Sequence, residues 1–277
     1  MDDLAALRLQ IEWGADEALE AEPVDRLRVQ PAPQPSPAPR EREHIIPAPA
    51  LTPSPAERGR VGEGVAPAIT ARGTAAERAT QAAAGARTLA ELRAAIAGFE
   101  GCALRDTASN LVFAEGDTSS GLLFIGDAPT ADDDRSGTPF SGAAGAYLDR
   151  MLGSIGLARA GLLLSPLIPW RPPGDRPPSP AELAICLPFL FRLVALAAPR
   201  RLVLLGPLAA KGLLEQPSRR RPRGAWLDIA IPGLSEPLPA LPTFAPGELV
   251  RIFRDRRSAW SDLRLLRRTL DTDFADN

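Results

Sequence analysis

Four short apolar runs constrain this chain more than anything else in it: Gly121-Leu-Leu-Phe-Ile-Gly126, Leu162-Leu-Leu-Leu-Ser165, Arg201-Leu-Val-Leu-Leu-Gly206 and Leu238-Pro-Ala-Leu-Pro-Thr243. Each is too short for a core helix and each enters a turn, as strands buried on both faces do. Around them lie stretches of helical period: Leu89 to Phe99, Tyr147 to Leu157, Ala181 to Leu196 after Ser179-Pro180, Leu208 to Leu214, and Asp255 to Leu270. This alternation predicts an α/β fold, a three-layer α/β/α domain with a short, mostly parallel four-stranded sheet, over about residues 88–270. In such a sheet the site is built by loops at the carboxyl ends of the strands.

Upstream the texture differs. Residues 1–22 place Leu4, Leu7, Ile11 and Leu19 at near-helical spacing around Trp13, which reads as a short amphipathic helix and a possible protein-docking element. Residues 23–87 are dense in Pro, Ala and Arg, with Pro31-Ala-Pro-Gln-Pro-Ser-Pro-Ala-Pro39 at their centre, and proline sustains neither helix nor sheet ladders there. That stretch reads as a disordered linker, and residues 271–277 as a C-terminal tail. The one histidine, His44, falls inside the linker and reads as a solvated bystander.

Composition then removes whole classes of chemistry. With 2 Cys in 277 residues there is no disulfide scaffold and no four-thiolate metal site. With 1 His there is no Ser-His-Asp triad. No Walker or dinucleotide fingerprint is present, because Gly126-Asp-Ala-Pro-Thr130 lacks the required glycines. No run of about 18 uninterrupted apolar residues occurs and Met1-Asp-Asp lacks a signal peptide's basic start, so a soluble, cytoplasmic, membrane-free protein is expected. The net charge of −2 conceals an asymmetry: Arg150 to Leu270 carries 19 Lys/Arg against 8 Asp/Glu. A surplus of that size attracts polyanions. Arg-rich usage with Lys211 as the lone lysine also fits biased base composition.

The strand ends carry the informative motifs: Gly126-Asp-Ala-Pro-Thr-Ala-Asp-Asp-Asp-Arg-Ser-Gly-Thr-Pro-Phe140, then Trp170-Arg-Pro-Pro-Gly174, then Pro242-Thr-Phe-Ala-Pro246. In this order and spacing, from about Leu92 to Leu270, the chain resembles the uracil-DNA glycosylase superfamily, most closely its family 4 and related alphaproteobacterial-type members. The resemblance implies excision of uracil or another damaged base from DNA, with the nucleotide extruded into a flat pocket. It places the catalytic carboxylates on Asp127 and Asp133, where Asp stands for the family's Glu. Taken as a residue alone, Asp133 in the Asp132-Asp-Asp134 run also suits a helix cap or a solvated turn. Phe140 corresponds to the aromatic on which the base stacks, with Ala128 beside it. Arg171, Arg176 and Arg251 are candidate DNA contacts, and Leu249 is a candidate apolar wedge. Arg219-Arg-Arg-Pro-Arg223 is either a phosphate-touching loop or a solvated charge run.

Two departures weaken the expected site. The family's base-reading Asn falls on Pro166, which has neither side-chain amide nor backbone N–H, leaving Ser165 as a partial substitute. The family's His, whose donor meets the charge on the departing base, falls on Ala245. Losing one preorganised donor costs about 10²–10³ in rate. The family's [4Fe–4S] cluster needs four Cys; Cys102 and Cys186 match two, while Phe99 and Trp170 occupy the others. No cofactor or metal is therefore expected, and these four side chains are expected to lie together in a refilled core. Two readings follow: a divergent glycosylase with a weakened site, and a catalytically silent DNA-binding or protein-interaction module that keeps the fold.

Overall fold

The structure, a computed structural model, describes residues 73–214 and 223–275. The expected N-terminal helix, the Pro-rich stretch through residue 72 with His44, and Arg219 to Pro222 of the basic run lie outside these residues.

The elements follow in order. Helices α1 (Ala75–Gly85), α2 (Leu89–Ala97) and α3 (Ala103–Thr107) precede strands β1 (Glu115–Gly116) and β2 (Leu122–Gly126). Helices α4 (Ala131–Ser136) and α5 (Gly142–Ser154), strand β3 (Leu163–Pro166), helix α6 (Pro180–Ala197), strand β4 (Arg201–Leu205) and helix α7 (Pro207–Leu213) come next. Strands β5 (Leu227–Ile229) and β6 (Leu238–Thr243) lead into helices α8 (Pro246–Arg251) and α9 (Arg256–Ala275).

The sheet runs β1-β3-β2-β4-β6-β5. Its inner four strands are the four apolar runs of the sequence, mutually parallel, with β2 in the middle. The expected four-strand count is corrected to six, because β1 and β5 add antiparallel edges of two and three residues. Elements that short leave no periodicity to read. Pleat alternation divides the core: Leu123 and Ile125 of β2 join one cluster, while Leu122 and Phe124 join the other. Helices α1, α2, α6 and α7 cover the first face, α5 and α9 the second. The fold is thus the expected three-layer α/β/α arrangement.

Several boundaries move. The stretch read as linker ends in α1, opened by a Thr74–Glu77 capping box. Its Ala79 and Ala83 are buried, and Arg192 of α6 donates through Nε (2.8 Å) to the Ala86 carbonyl just past its end. An alanine helix has no apolar bulk to show a period, and small side chains are what let it lie close to α6. Helix α5 begins five residues before the expected Tyr147 because Gly142 to Ala146 are equally small. Helix α9 runs on through Leu270 to Ala275, taking up most of the expected tail. Helix α6 is long and apolar enough to cross a membrane by length and composition. Here Cys186, Phe189, Leu193 and Val194 bury its stripe in the first core cluster.

Candidate active site

The carboxyl ends of β2, β3, β4 and β6 open into one cleft of about 720 Å³, to which all four strand-end loops contribute. Asp127, Ala128, Asp133, Phe140, Pro166, Ala245, Arg176 and Arg251 all line it.

The first loop is fixed from within. Asp127 leaves β2 and its Oδ1 accepts from the Ala209 backbone N–H of α7 at 2.8 Å. The approach depends on Gly206, whose φ of +118° suits glycine and where a Cβ would lie 2.4 Å from Asp127 Oδ2. Asp133 is buried and engaged at both oxygens. Oδ2 accepts from the Thr130 N–H (2.8 Å) and hydroxyl (2.9 Å), and Oδ1 from the Ser141 N–H (2.6 Å). It closes the capping box that starts α4 and staples the far end of the loop. Asp134 faces the other way and accepts from the Ser109 and Asn110 N–H groups.

Phe140 closes this loop with φ of 54°, an uncommon backbone state for a bulky residue. Arg159 holds it by donating to the Phe140 carbonyl (2.9 Å) and to that of Pro139. Gly145 of α5 leaves room, since a Cβ there would sit 1.7 Å from the Phe140 oxygen. The ring is half-buried and lies over Gly126, where a Cβ would come within 2.6 Å of it. An aromatic plate is thereby presented at the cleft wall.

The second loop brings Pro166 to the cleft but not Ser165. Successive strand residues point to opposite faces, so Ser165 is buried on the other side and its hydroxyl donates to the Pro166 carbonyl at 3.0 Å. Its expected role as a substitute base reader is corrected on that ground. The two arginines of this loop are already paired. Arg171 Nε meets Asp175 at 2.8 Å, and Arg176 forks onto Glu182 at 2.7 and 2.9 Å, which holds the Glu182 carboxyl down at about 2. Both guanidinium groups are thus engaged in ion pairs.

The third loop, starting α7, adds a residue that motif reading missed: Lys211, exposed and lining the cleft. Its being the sole lysine, one turn into the helix after a site strand, was the available signal. In the fourth loop Ala245 caps α8, and the helical turn carries Leu249 into the second core cluster at 0% exposure. The expected wedge is therefore corrected: Leu249 is core, while Val250, Ile252 and Phe253 project, Phe253 at 65% exposure with the Arg256 guanidinium 3.9 Å above its ring. Behind this loop the Thr243 hydroxyl donates to buried Asp262 at 2.8 Å, whose carboxyl pKa burial pushes upward.

Away from the cleft, Phe99, Cys102, Trp170 and Cys186 are all buried in the first core cluster. Phe99 meets Phe189 edge-on at 5.3 Å. Interaction with the Cys186 thiol lowers Cys102 to about 7, and interaction with Cys102 together with burial pushes Cys186 up. Two thiols and two aromatic rings are not the donor set of a four-thiolate cluster, and the described residues hold no group of three His, Cys, Asp or Glu able to grip a metal.

Comparison with known proteins agrees with this geometry. The profile of the uracil DNA glycosylase superfamily matches residues 113–264, which span the first site strand to α9. A Type-4 uracil-DNA glycosylase of Pyrobaculum aerophilum is 36% identical over 132 residues, 48% of this chain and 67% of that protein. The one of Thermotoga maritima is 31% identical over 152 residues, covering 54% and 77%. That of Archaeoglobus fulgidus is 39% identical over 110 residues, covering 40% and 55%. The shared stretch thus spans between roughly half and three quarters of these relatives.

Proposed function

Because the chain belongs to the uracil-DNA glycosylase superfamily, we propose that its cleft hydrolyses the N-glycosidic bond of uracil in DNA, and does so slowly. The observation that carries this reading is the pairing of the Phe140 plate over Gly126 with the Asp127 carboxylate anchored on Ala209, both on the wall of one cleft. An extruded base stacks on Phe140, a contact worth roughly 1–3 kcal/mol. The bond breaks towards an oxocarbenium-like sugar, and Asp127 favours that positive charge or orients the water that captures it. Asp133 is a positioning residue in this scheme, since its oxygens are spent on Thr130 and Ser141. Of the cleft's described cations Arg176 is committed to Glu182, which leaves Lys211 and Arg251 to meet phosphate or the charge on the leaving base.

The rate is limited by what Pro166 and Ala245 do not offer, because neither side chain donates a hydrogen bond. Those two positions also favour the second reading, a silent DNA-binding module. A uracil-release assay on single- and double-stranded DNA separates the two. Release that falls by about 10²–10⁴ in Asp127→Ala and also drops in Phe140→Ala supports the enzyme. Salt-sensitive binding with no release from the wild type supports the module.

A further inference from the structure

We propose that Lys211 captures the abasic sugar left by base release as a covalent imine. The inference rests on the reading of the cleft as a glycosylase site and adds a reaction to it. Loss of the base leaves C1′ of the deoxyribose as an aldehyde in equilibrium with its ring form, and a lysine amine is the side chain that condenses with a carbonyl carbon. Lys211 is the lone lysine of the chain, it is exposed, and it lines the same cleft as Asp127 and Phe140. The cleft's other described basic groups, Arg176 and Arg251, are guanidiniums, which stay protonated and offer no free amine.

The fold aims that amine at the carboxylate assigned to the sugar. Helix α7 starts at Pro207, directly after Gly206, and its Ala209 N–H binds Asp127 Oδ1 at 2.8 Å. Lys211 follows two residues later, so its Cα stands about 5.4 Å from that of Ala209. Helical side chains lean towards the N-terminus of their helix, over the residues three and four positions earlier. For Lys211 these are Leu208 and Pro207, and both line the cleft. A stem about 6 Å long laid in that direction brings Nζ into the neighbourhood of Asp127. With amine and aldehyde held in one cleft, the step gains the effective concentration of an intramolecular reaction.

The step balances without any other reagent. The ammonium yields a proton to solvent, the free amine forms the N–C1′ bond, and the carbonyl oxygen becomes the hydroxyl of a carbinolamine. That hydroxyl takes up a proton and leaves as water, so one ammonium and one aldehyde give one protonated imine and one water. Water reverses the reaction, and the cleaved DNA is therefore held and then returned.

The full-length protein is mixed with a duplex whose abasic site was made beforehand, in sodium cyanoborohydride, which delivers hydride to the imine carbon and fixes the link as a secondary amine. The expected result is a protein–DNA species that survives denaturation, with the link mapped to the peptide that holds Lys211. Lys211→Arg keeps the positive charge and loses the adduct. Placing a lysine elsewhere, as Arg264→Lys in the Lys211→Arg background, lowers the yield at least about tenfold, because an amine on exposed α9 lacks the cleft's proximity. A duplex with a tetrahydrofuran site, which has no aldehyde, gives no adduct. Absence of an adduct in wild type overturns the proposal, as does an adduct that persists in Lys211→Arg, equal yield from the relocated lysine, or a link to the tetrahydrofuran duplex. Mapping the link in wild type decides the matter even if a variant fails to fold. Because the abasic site is supplied ready-made, failure here is distinct from failure of uracil release, which its own assay reads.

Discussion

Gly206 is a residue whose side chain has to be absent for another to work. Its φ of +118° is costly for any residue with a Cβ, and that atom would fall 2.4 Å from Asp127 Oδ2. Gly206→Ala is therefore expected to displace the Asp127 carboxylate from Ala209 and to lower stability by about 1–3 kcal/mol. If Asp127 acts as proposed, uracil release falls about as far in Gly206→Ala as in Asp127→Ala, and the double variant is no worse than either. Single-turnover kinetics of the three proteins check this, and additive losses would separate Gly206 from the carboxylate. Asp133 illustrates the opposite case. The resemblance makes it a second catalytic acid and the residue alone allows a helix cap; its hydrogen bonds show a loop staple, because Thr130 three residues earlier takes the same carboxylate into a capping box.

At the level of elements, what the sequence disclosed depended on whether an element's burial is continuous. The four inner strands were legible because each is buried along nearly its whole length and reads as an unbroken apolar run. Edge strands β1 and β5 are too short to show a pattern, and α1 hides its period in alanine. Helix α8 misled in a different way. A wedge was expected at Leu249, but the helical turn rotates that side chain inward, and Phe253 in the turn after α8 projects instead. Leu249→Ala is accordingly expected to cost about 2–5 kcal/mol of stability. Phe253→Ala leaves stability nearly unchanged and weakens binding to uracil-containing duplex about tenfold, with less effect on single strands, which need no base stack opened. Equal losses on both substrates in a titration would remove Phe253 from any wedging role.

The start of α6 carries a pH-dependent contribution of definite sign. Glu182 has its carboxyl held at about 2 against an ordinary 4.5, first by the Arg176 fork. A carboxyl whose folded pKa is depressed stabilises the fold above its unfolded value and loses that contribution as pH falls through the folded value. The pair therefore supports the domain above about pH 4.5 and stops doing so near pH 2. Because Arg176 is exposed, Arg176→Ala is expected to lower stability only slightly at pH 7. Denaturant unfolding at the two pH values tests the sign, since the difference from wild type vanishes at the acid end.

For the molecule as a whole, the basic surplus of the second half places Arg176, Lys211 and Arg251 on the cleft wall. Arg251, Arg254 and Arg257 are exposed along α8, the turn after it and the start of α9, and of these Arg251 lines the cleft together with Lys211. Each cation that neutralises a phosphate releases counterions. If Lys211 and Arg251 touch the backbone of duplex DNA, the slope of log K against log salt becomes shallower by about 1.8 in the double variant Lys211→Ala, Arg251→Ala. Changing Arg264 and Arg268, exposed on α9, to Ala removes the same charge and serves as the control. Equal shifts in the two double variants would mean that DNA senses only overall charge, whereas a change confined to Lys211 and Arg251 places the phosphate backbone across the Phe140 cleft.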